Sequence, residues 1–153
     1  MRKSMRNRVF RAKDIKTGEW IEGAYFEHDT VKVCFAEDDP ETKFFIVSDG
    51  FCDWGLEPPI TINSVDPETV GEYTGLKDKN GKRIFEGDIL KSATFWLQMP
   101  INAVVGFKDG SFGFTWLRGE AYMFSPFPTV CNIEYEVIGN VHDNPELLRG
   151  SEE

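Results

Sequence analysis

Hydrophobic and polar residues alternate with a period of two through most of this chain, in short runs separated by turn-forming residues. In the run from Trp20 to Phe26, the even-numbered residues fall on one side of an extended chain and the odd-numbered residues on the other. Comparable runs occupy Val9–Ala12, Val31–Phe35, Phe44–Val47, Ile89–Leu97, Ala103–Phe107, Phe112–Trp116 and Tyr135–Val141. The pattern predicts about eight to ten short β-strands and almost no helix, which is typical of an all-β barrel or sandwich.

Small polar residues, glycine and proline mark the predicted turns between these runs. Asp109-Gly110 predicts a tight hairpin because both residues readily adopt positive φ angles, and Asn80-Gly81 predicts a second tight turn. Asp66 before Pro67 and Asn144 before Pro145 predict the starts of two very short helices. Further turns are predicted at Lys16-Thr17-Gly18, at His28-Asp29-Thr30 and in the acidic loop Ala36–Thr42.

An aromatic loop is predicted between Ser48 and Pro59, where glycine and proline interrupt the alternation. It contains Phe51 and Trp54 together with Leu56. These side chains either cover the end of a barrel or form an exposed patch for a protein partner. Phe51 and Trp54 are therefore candidate interaction residues.

The composition is that of a folded globular protein with an acidic and unevenly distributed charge. Of 153 residues, 41% are hydrophobic and 14% aromatic, enough for a core that needs no disulfide or metal. The net charge of −9 argues against a surface that coats nucleic acid. Residues 1–13 hold six basic and no acidic residues, whereas residues 14–75 hold three basic and fifteen acidic ones. We interpret the basic start as a solvated terminus; the alternative is an arm that binds nucleic acid or an acidic partner.

Cys34, Cys52 and Cys131 are odd in number and widely spaced, so a disulfide framework is not expected and a reducing cytoplasm fits best. The start of the chain lacks the apolar segment of a secretory signal. No apolar run approaches the ~20 residues that cross a bilayer. We therefore expect a cytoplasmic protein without a membrane partner.

No group of residues shows the spacing of a catalytic, cofactor or metal site, so none of these is predicted. His142-Asp143 resembles the base and orienting residue of a catalytic triad, but no serine or cysteine lies in a nucleophile context. Glu86 and Asp88 would share one face of an extended chain, which suits an acid–base pair. Gly87-Asp88 is better explained as a turn device, in which the carboxylate accepts hydrogen bonds from backbone amides.

Four cationic residues surround the predicted turn at residues 78–81: Lys77, Lys79, Lys82 and Arg83. Such a turn can contact phosphates, which makes these four residues candidates for nucleic-acid binding. The simpler interpretation is a solvated turn, which the acidic net charge favours.

The segment Thr69–Ile89, with the sequence TVGEYTGLKDKNGKRIFEGDI, resembles the central signature of the YopX family of phage and prophage proteins. Phe10-Arg11-Ala12 with Asp14 is similar to the family's opening strand. Val137–Val141 with Asn144–Leu148 is similar to its closing segment. The resemblance therefore spans most of the chain.

The resemblance implies a mainly β fold: an SH3-type small barrel or roll with an additional N-terminal β-rich part and at most short helices. One compact domain is expected over residues 8–149, with the β-rich part at 8–66, the barrel part at 67–142, and flexible ends at 1–7 and 150–153. The resemblance also implies a bacteriophage or prophage origin and self-association, but no established activity. The signature residues serve turns, packing and backbone hydrogen bonds: Tyr73, Gly75, Gly81, Gly87 and Asp88.

Three hypotheses for function follow from these observations. The favoured one is a phage or prophage binding or assembly protein without enzymatic activity, which acts in the cytoplasm of the bacterial host. It would form a homo-oligomer and engage a host or phage protein, with no cofactor and no membrane. The first alternative is a nucleic-acid-binding module that uses the basic N-terminal arm and the Lys77–Arg83 turn. The second is an enzyme that uses Glu86, Asp88 and His142.

Overall fold

The chain divides into two compact units, Met1–Glu72 and Tyr73–Glu153. The structure, a computed structural model, describes residues 8–30, 41–50, 59–92, 102–118, 121–127 and 135–148. These residues form eleven β-strands and two short 3₁₀ turns, and no α-helix occurs among them. The prediction of a mainly β protein is confirmed.

The first unit is built on one antiparallel sheet. Its strands are β1 (Phe10–Lys13), β2 (Trp20–Thr30), β3 (Glu41–Asp49), β4 (Ile60–Ser64) and the start of β5 (Gly71–Lys77). The order in the sheet is β4-β3-β2-β1-β5, so that strands β1 to β4 lie beside their neighbours in the sequence. A 3₁₀ turn at Pro67–Thr69 precedes β5, and the predicted cap Asp66 accepts a hydrogen bond from the Glu68 amide at 3.1 Å.

The core of the first unit lies on one face of this sheet. Ala12, Ile46 and Val65 are at most 1% exposed, and half-buried hydrophobic side chains pack around them. Ala12 lies opposite Ile21 across β1 and β2, and Ile46 lies opposite Tyr25 across β3 and β2. Residues opposite one another share a face, so the next residue along each strand belongs to the other face.

The second unit contains the rest of β5 and a five-stranded antiparallel sheet. Its further strands are β6 (Arg83–Phe85), β7 (Asp88–Ser92), β8 (Asn102–Lys108), β9 (Ser111–Arg118), β10 (Ala121–Pro126) and β11 (Tyr135–Asn140). β6 pairs with β5, and the five-stranded sheet has the order β10-β9-β8-β7-β11. The second 3₁₀ turn, at Pro145–Leu148, follows β11 as predicted.

Aromatic rings dominate the core of the second unit. The Phe114 side chain is 8% exposed, and its ring centroid lies 5.6, 5.8 and 5.7 Å from those of Trp116, Phe127 and Tyr135. Tilted and edge-on ring pairs at such distances stabilise a core beyond the effect of burial alone. The other buried residues of this cluster are Ile84, Leu90, Ala103 and Val105.

The predicted Asp109-Gly110 hairpin connects β8 and β9. Asp109 has φ 52° and Gly110 has φ 83°, and Lys108 pairs with Ser111 across the turn. Two consecutive residues in the left-handed region match the twist of the flanking strands, which is why Asp-Gly is favoured there.

Three features of the strands differ from the sequence predictions. The turn predicted at His28-Asp29-Thr30 is wrong, because β2 continues through it: Thr42 Oγ1 donates to Asp29 Oδ1 at 2.8 Å, and His28 lies opposite Lys43. Such cross-strand pairs hold polar residues in a sheet. β3 is longer than predicted, and β4 and β10 were not predicted. The predicted strand Val31–Phe35 and residues 93–97 of the strand after Ile89 lie outside the described residues.

Neither sheet closes into a barrel within the part of the chain that the structure describes, so the closed form of the predicted fold is not observed. β10 and β11 each pair with one neighbour and form the two edges of the five-stranded sheet. Closure requires the outermost strands of a sheet to pair with each other. The described strands of the second unit form an open sheet instead.

Candidate interaction surfaces

The turn between β5 and β6 is held by the carboxylate of Asp78, which is 7% exposed. Its Oδ1 accepts hydrogen bonds from the amides of Asn80 and Lys82 at 2.8 and 2.9 Å, and its Oδ2 accepts one from the amide of Val137 at 3.2 Å. Gly81 has φ 82°, the positive angle that the predicted Asn80-Gly81 turn requires. Asp78 therefore ties this turn to β11.

Two opposing effects act on the pKa of Asp78. Burial disfavours the charged form, and it alone would raise the pKa. The three amide donors and the positive charge of Lys82 favour the charged form more strongly, and they lower the pKa of Asp78 below its usual value of 3.8. Asp78 is therefore an ionised structural acceptor at neutral pH, not a proton donor.

Four exposed cations surround this turn: Lys77, Lys79, Lys82 and Arg83. Lys79 Nζ lies 2.6 Å from Glu136 Oε2. The Arg83 guanidinium lies 5.5 Å from the centre of the Tyr73 ring. The structure therefore brings the four predicted cations to one turn, where one is paired with a carboxylate and another lies over an aromatic ring.

Tyr73 and Gly75 shape β5 beside this turn. The Tyr73 ring centroid lies 5.5 Å from that of Phe85 in β6. Gly75 has φ 86°, and the pairing of β5 with β6 shifts register between Tyr73 and Lys77. A shift of this kind needs a residue that tolerates a positive φ, which explains a glycine at position 75.

Of the residues of the enzyme hypothesis, Glu86 and Asp88 flank Gly87, and His142 Nε2 would lie 3.9 Å from a Cβ added at Gly87. The chain turns at Glu86-Gly87, where Gly87 has φ 80°, so Glu86 and Asp88 do not share a face of one extended strand as predicted. Asp88 is 1% exposed, and its Oδ2 accepts a hydrogen bond from the Phe85 amide at 2.9 Å. Asp88 is therefore a buried backbone acceptor, whereas His142 is exposed in the turn after β11.

The first sheet carries an exposed apolar surface on the side opposite its core. This surface, which we call the open face, consists of Phe26 in β2, Phe45 and Val47 in β3, and Ile60 and Ile62 in β4. Phe26 lies opposite Phe45, and Val47 lies opposite Ile62. The two phenylalanine rings stack with centroids 5.1 Å apart. Ile60 and Ile62 are 73% and 62% exposed, and Phe26 is 38% exposed.

Cationic side chains lie on the same face of the sheet in β1. The cationic groups of Arg11 and Lys13 lie 4.6 and 5.4 Å from the centre of the Trp20 ring. Arg8 Nε lies 3.8 Å from Glu72 Oε1. The described cations of the basic start therefore contact residues of their own unit.

Phe51 and Trp54, the predicted aromatic interaction residues, lie outside the described residues, as do the three cysteines. Among the residues that the structure describes, no group of three or more His, Cys, Asp or Glu side chains is arranged to hold a metal ion. The described part of the chain also contains no helix that is long and apolar enough to cross a membrane.

The chain was compared with models of known protein families. The family model described as YopX protein matches residues 9–149. The chain belongs to the YopX family. The resemblance of the Thr69–Ile89 signature is confirmed, and YopX membership indicates a phage- or prophage-type protein. The YopX match covers residues of both compact units.

A solved structure similar to this YopX chain is the crystal structure of protein EF1440 from Enterococcus faecalis. It shares 25% sequence identity with this chain, with a TM-score of 0.43, and the match covers 92% of this chain and 97% of that chain. The comparison with curated proteins returned no match.

The open face lies outside the YopX signature, and its residues were not among the predicted interaction residues. Its residues come from three strands, and β4 was not predicted. The available signal was the alternation Ile60-Thr61-Ile62, which is typical of a strand with one apolar face. Alternation alone does not show whether that face is covered.

Proposed function

We propose that this YopX protein is a non-enzymatic binding or assembly protein that acts in the cytoplasm of a bacterial host. The observation that carries the proposal is the open face, where Ile60 and Ile62 are more than half exposed beside the stacked Phe26 and Phe45. Burial of one such side chain is worth about 1.5–3 kcal/mol. A partner that covers the open face gains several of these contributions.

The surroundings of the open face support a protein as the partner. Protein interfaces combine an apolar centre with a polar margin. The open face has such a margin on β1, where Arg11 and Lys13 lie over Trp20, and at Lys43 and Asp49 in β3. An apolar centre of aliphatic and aromatic side chains gives a protein partner contacts that a phosphate backbone does not provide.

A photo-crosslinking amino acid placed at position 62 tests this proposal. In the host cytoplasm we expect a crosslinked adduct to a protein, which mass spectrometry of the adduct identifies. The matched control carries the same group at position 15, because Ile15 is 64% exposed in the same unit but lies outside the open face. An absence of adducts from position 62, or equal adducts from both positions, would contradict the proposal.

The Lys77–Arg83 turn favours nucleic-acid binding as a second candidate function. All four of its cations are exposed, and Asp78 fixes the turn through three amide hydrogen bonds. A rigid turn with several cations can contact successive phosphates at a small cost in ordering.

A gel-shift titration at several salt concentrations tests this second function. Binding that weakens as salt rises, and that is lost in the double variant Lys77→Ala/Lys82→Ala, would support it. The matched control is Lys16→Ala/Lys108→Ala, which removes one exposed cation from the turn after β1 and one from the end of β8. No binding at low salt, or equal loss in the control, would count against this function.

We also propose that the second unit, taken by itself, adopts an SH3-type roll. Its support is the order of the five-stranded sheet, a meander from β7 to β10 in which β11 returns beside β7. A crystal structure of the protein tests it. Further strand pairs that curl this sheet towards a roll would support the proposal, and an open sheet without them would contradict it.

A further inference from the structure

The chain contains one Asn-Gly sequence, Asn80-Gly81, and both residues are exposed in the turn between β5 and β6. Asparagine is chemically labile before glycine, because glycine has no side chain that hinders a reaction between the two residues. In this reaction the nitrogen of the Gly81 amide attacks Cγ of Asn80, and a five-membered succinimide ring forms. The side-chain nitrogen of Asn80 takes up the proton of the Gly81 amide and leaves as ammonia.

Water then opens the ring at one of its two carbonyl carbons. Attack at Cγ gives aspartate at position 80, whereas attack at the main-chain carbonyl gives isoaspartate, whose main chain is longer because it passes through Cβ and Cγ. Both products carry a negative charge that asparagine lacks. Residues 77–83 hold four cations and one carboxylate, a net charge of +3, which either product lowers to +2.

Hydrogen bonds restrain the attacking nitrogen in the folded protein. The Gly81 amide donates to the Asp78 carbonyl at 2.9 Å. Ring closure requires this nitrogen to lose its proton and to turn towards the Asn80 side chain, which breaks the bond to Asp78. The neighbouring amides of Asn80 and Lys82 both donate to Asp78 Oδ1, at 2.8 and 2.9 Å. The turn must therefore open before Asn80 can react.

The turn is in addition attached to β11 by two backbone hydrogen bonds. The Lys79 amide donates to the Tyr135 carbonyl at 2.9 Å, and the Val137 amide donates to Asp78 Oδ2 at 3.2 Å. One oxygen of the Asp78 carboxylate thus holds the turn, and the other holds it to β11. Loss of this carboxylate removes both restraints at once.

We propose that Asn80 is a deamidation site that Asp78 keeps unreactive, and that it reacts when the turn detaches from β11. This inference is independent of the partner of the open face. The longer main chain of the isoaspartate product cannot keep the amides of residues 80 and 82 on one oxygen of Asp78. Deamidation therefore makes a temporary opening of the turn permanent, and it lowers the positive charge available for a phosphate.

Peptide mass spectrometry of the full chain after incubation at mildly alkaline pH tests the inference. Deamidation replaces an NH₂ group by OH, and fragmentation of the peptide locates the mass change at position 80. Asn80 should react slowly in the folded protein and faster in urea, where the turn is open. In Asp78→Ala, without urea, the rate should rise at least about fivefold, because the turn amides lose their acceptor.

Asp14→Ala is the matched control, since it removes a similar carboxylate from a turn of the first unit. Asp14 is 8% exposed, and its Oδ1 accepts hydrogen bonds from the amides of Lys16 and Thr17 at 2.7 and 3.0 Å. This variant should leave the rate at Asn80 unchanged. Circular dichroism checks that each variant folds. If Asp78→Ala does not fold, Asp78→Asn decides, because its NH₂ group cannot accept a bond from the Val137 amide.

Four results would overturn the inference. They are a rate at Asn80 in the folded protein equal to that in urea, no reaction in urea, a rate that the folded Asp78 variant leaves unchanged, and an equal rise in Asp14→Ala. The first two would show that the turn does not restrain a labile residue. The last two would show that the restraint does not come from Asp78.

Discussion

The two sheets have similar alternating sequences, but they differ in what covers their aromatic residues. Phe114 in β9 is 8% exposed and packs against three other aromatic rings. Phe26 in β2 is 38% exposed and stacks with the ring of Phe45 on the open face. Both phenylalanines belong to apolar runs with period two. The same pattern therefore builds a stable core in one unit and leaves an apolar surface in the other.

This difference shows that strand formation and burial are separate consequences of the sequence. Alternation places apolar residues on one face of a strand. Whether that face contributes to stability depends on what packs against it, since buried apolar area drives folding. An uncovered apolar face contributes little to the stability of the unit and is available for a partner.

The largest expected difference in the free energy of unfolding is that between Phe114→Ala and Phe26→Ala. Phe114→Ala leaves a cavity in the aromatic cluster and should lower the free energy of unfolding by about 3–5 kcal/mol. Phe26→Ala removes a partly exposed ring and should cost about 1 kcal/mol or less. Urea denaturation followed by circular dichroism measures both. Similar losses in the two variants would show that the open face is as well packed as the core.

The next largest effect is expected at Asp78. Asp78→Ala removes the acceptor of three backbone amides, and unsatisfied donors should lower the free energy of unfolding by about 1–3 kcal/mol. Asp49→Ala in β3 removes an exposed carboxylate and should change stability by less than about 0.5 kcal/mol. Urea denaturation again gives both values. A harmless Asp78→Ala would mean that the turn holds without its carboxylate.

The stabilisation by Asp78 should also depend on pH. Because the folded protein lowers the pKa of Asp78 below 3.8, the ionised form stabilises the fold. This contribution is complete above the unfolded-state pKa and is lost as the pH falls through the lower folded-state pKa. The stability difference between the protein and Asp78→Asn should therefore be constant above about pH 5 and shrink in acid. A difference that grows on acidification would indicate a raised pKa instead.

The smallest effect concerns a glycine in the same turn. Gly81 has φ 82°, and a Cβ added there would meet no atom within 4 Å, so Gly81→Ala is opposed by backbone conformation alone and should cost about 1 kcal/mol. Gly106 in β8 has the same free space without a positive φ, and Gly106→Ala should cause no loss. Thermal denaturation compares the two variants. Equal shifts in their melting temperatures would show that the positive φ of Gly81 is not the cause of the loss.

The turns and caps that a few neighbouring residues determine were predictable from the sequence. Asp109-Gly110 has few favourable conformations other than a tight turn, and Asp66-Pro67 caps a short 3₁₀ turn as expected. The extension of β2 through His28-Asp29-Thr30 was not predictable in this way. Those residues favour turns in isolation, and only their cross-strand partners in β3 hold them extended.

The candidate site was harder to predict than the fold. The four cations of the Lys77–Arg83 turn lie close together in the sequence, so their grouping was visible in advance. The open face combines five residues of β2, β3 and β4, and only the register of the sheet brings them side by side.

The boundary between the two units lies inside β5, with a practical consequence for dissection of the gene. Gly71 pairs with Arg11 and Glu72 with Phe10, whereas Tyr73 pairs with Phe85 in β6. A deletion or exchange that cuts between Glu72 and Tyr73 therefore breaks a strand rather than a loop. Fragments made at this point would lose native pairing at their new ends, and fusions are better joined in the turn at residues 109–110.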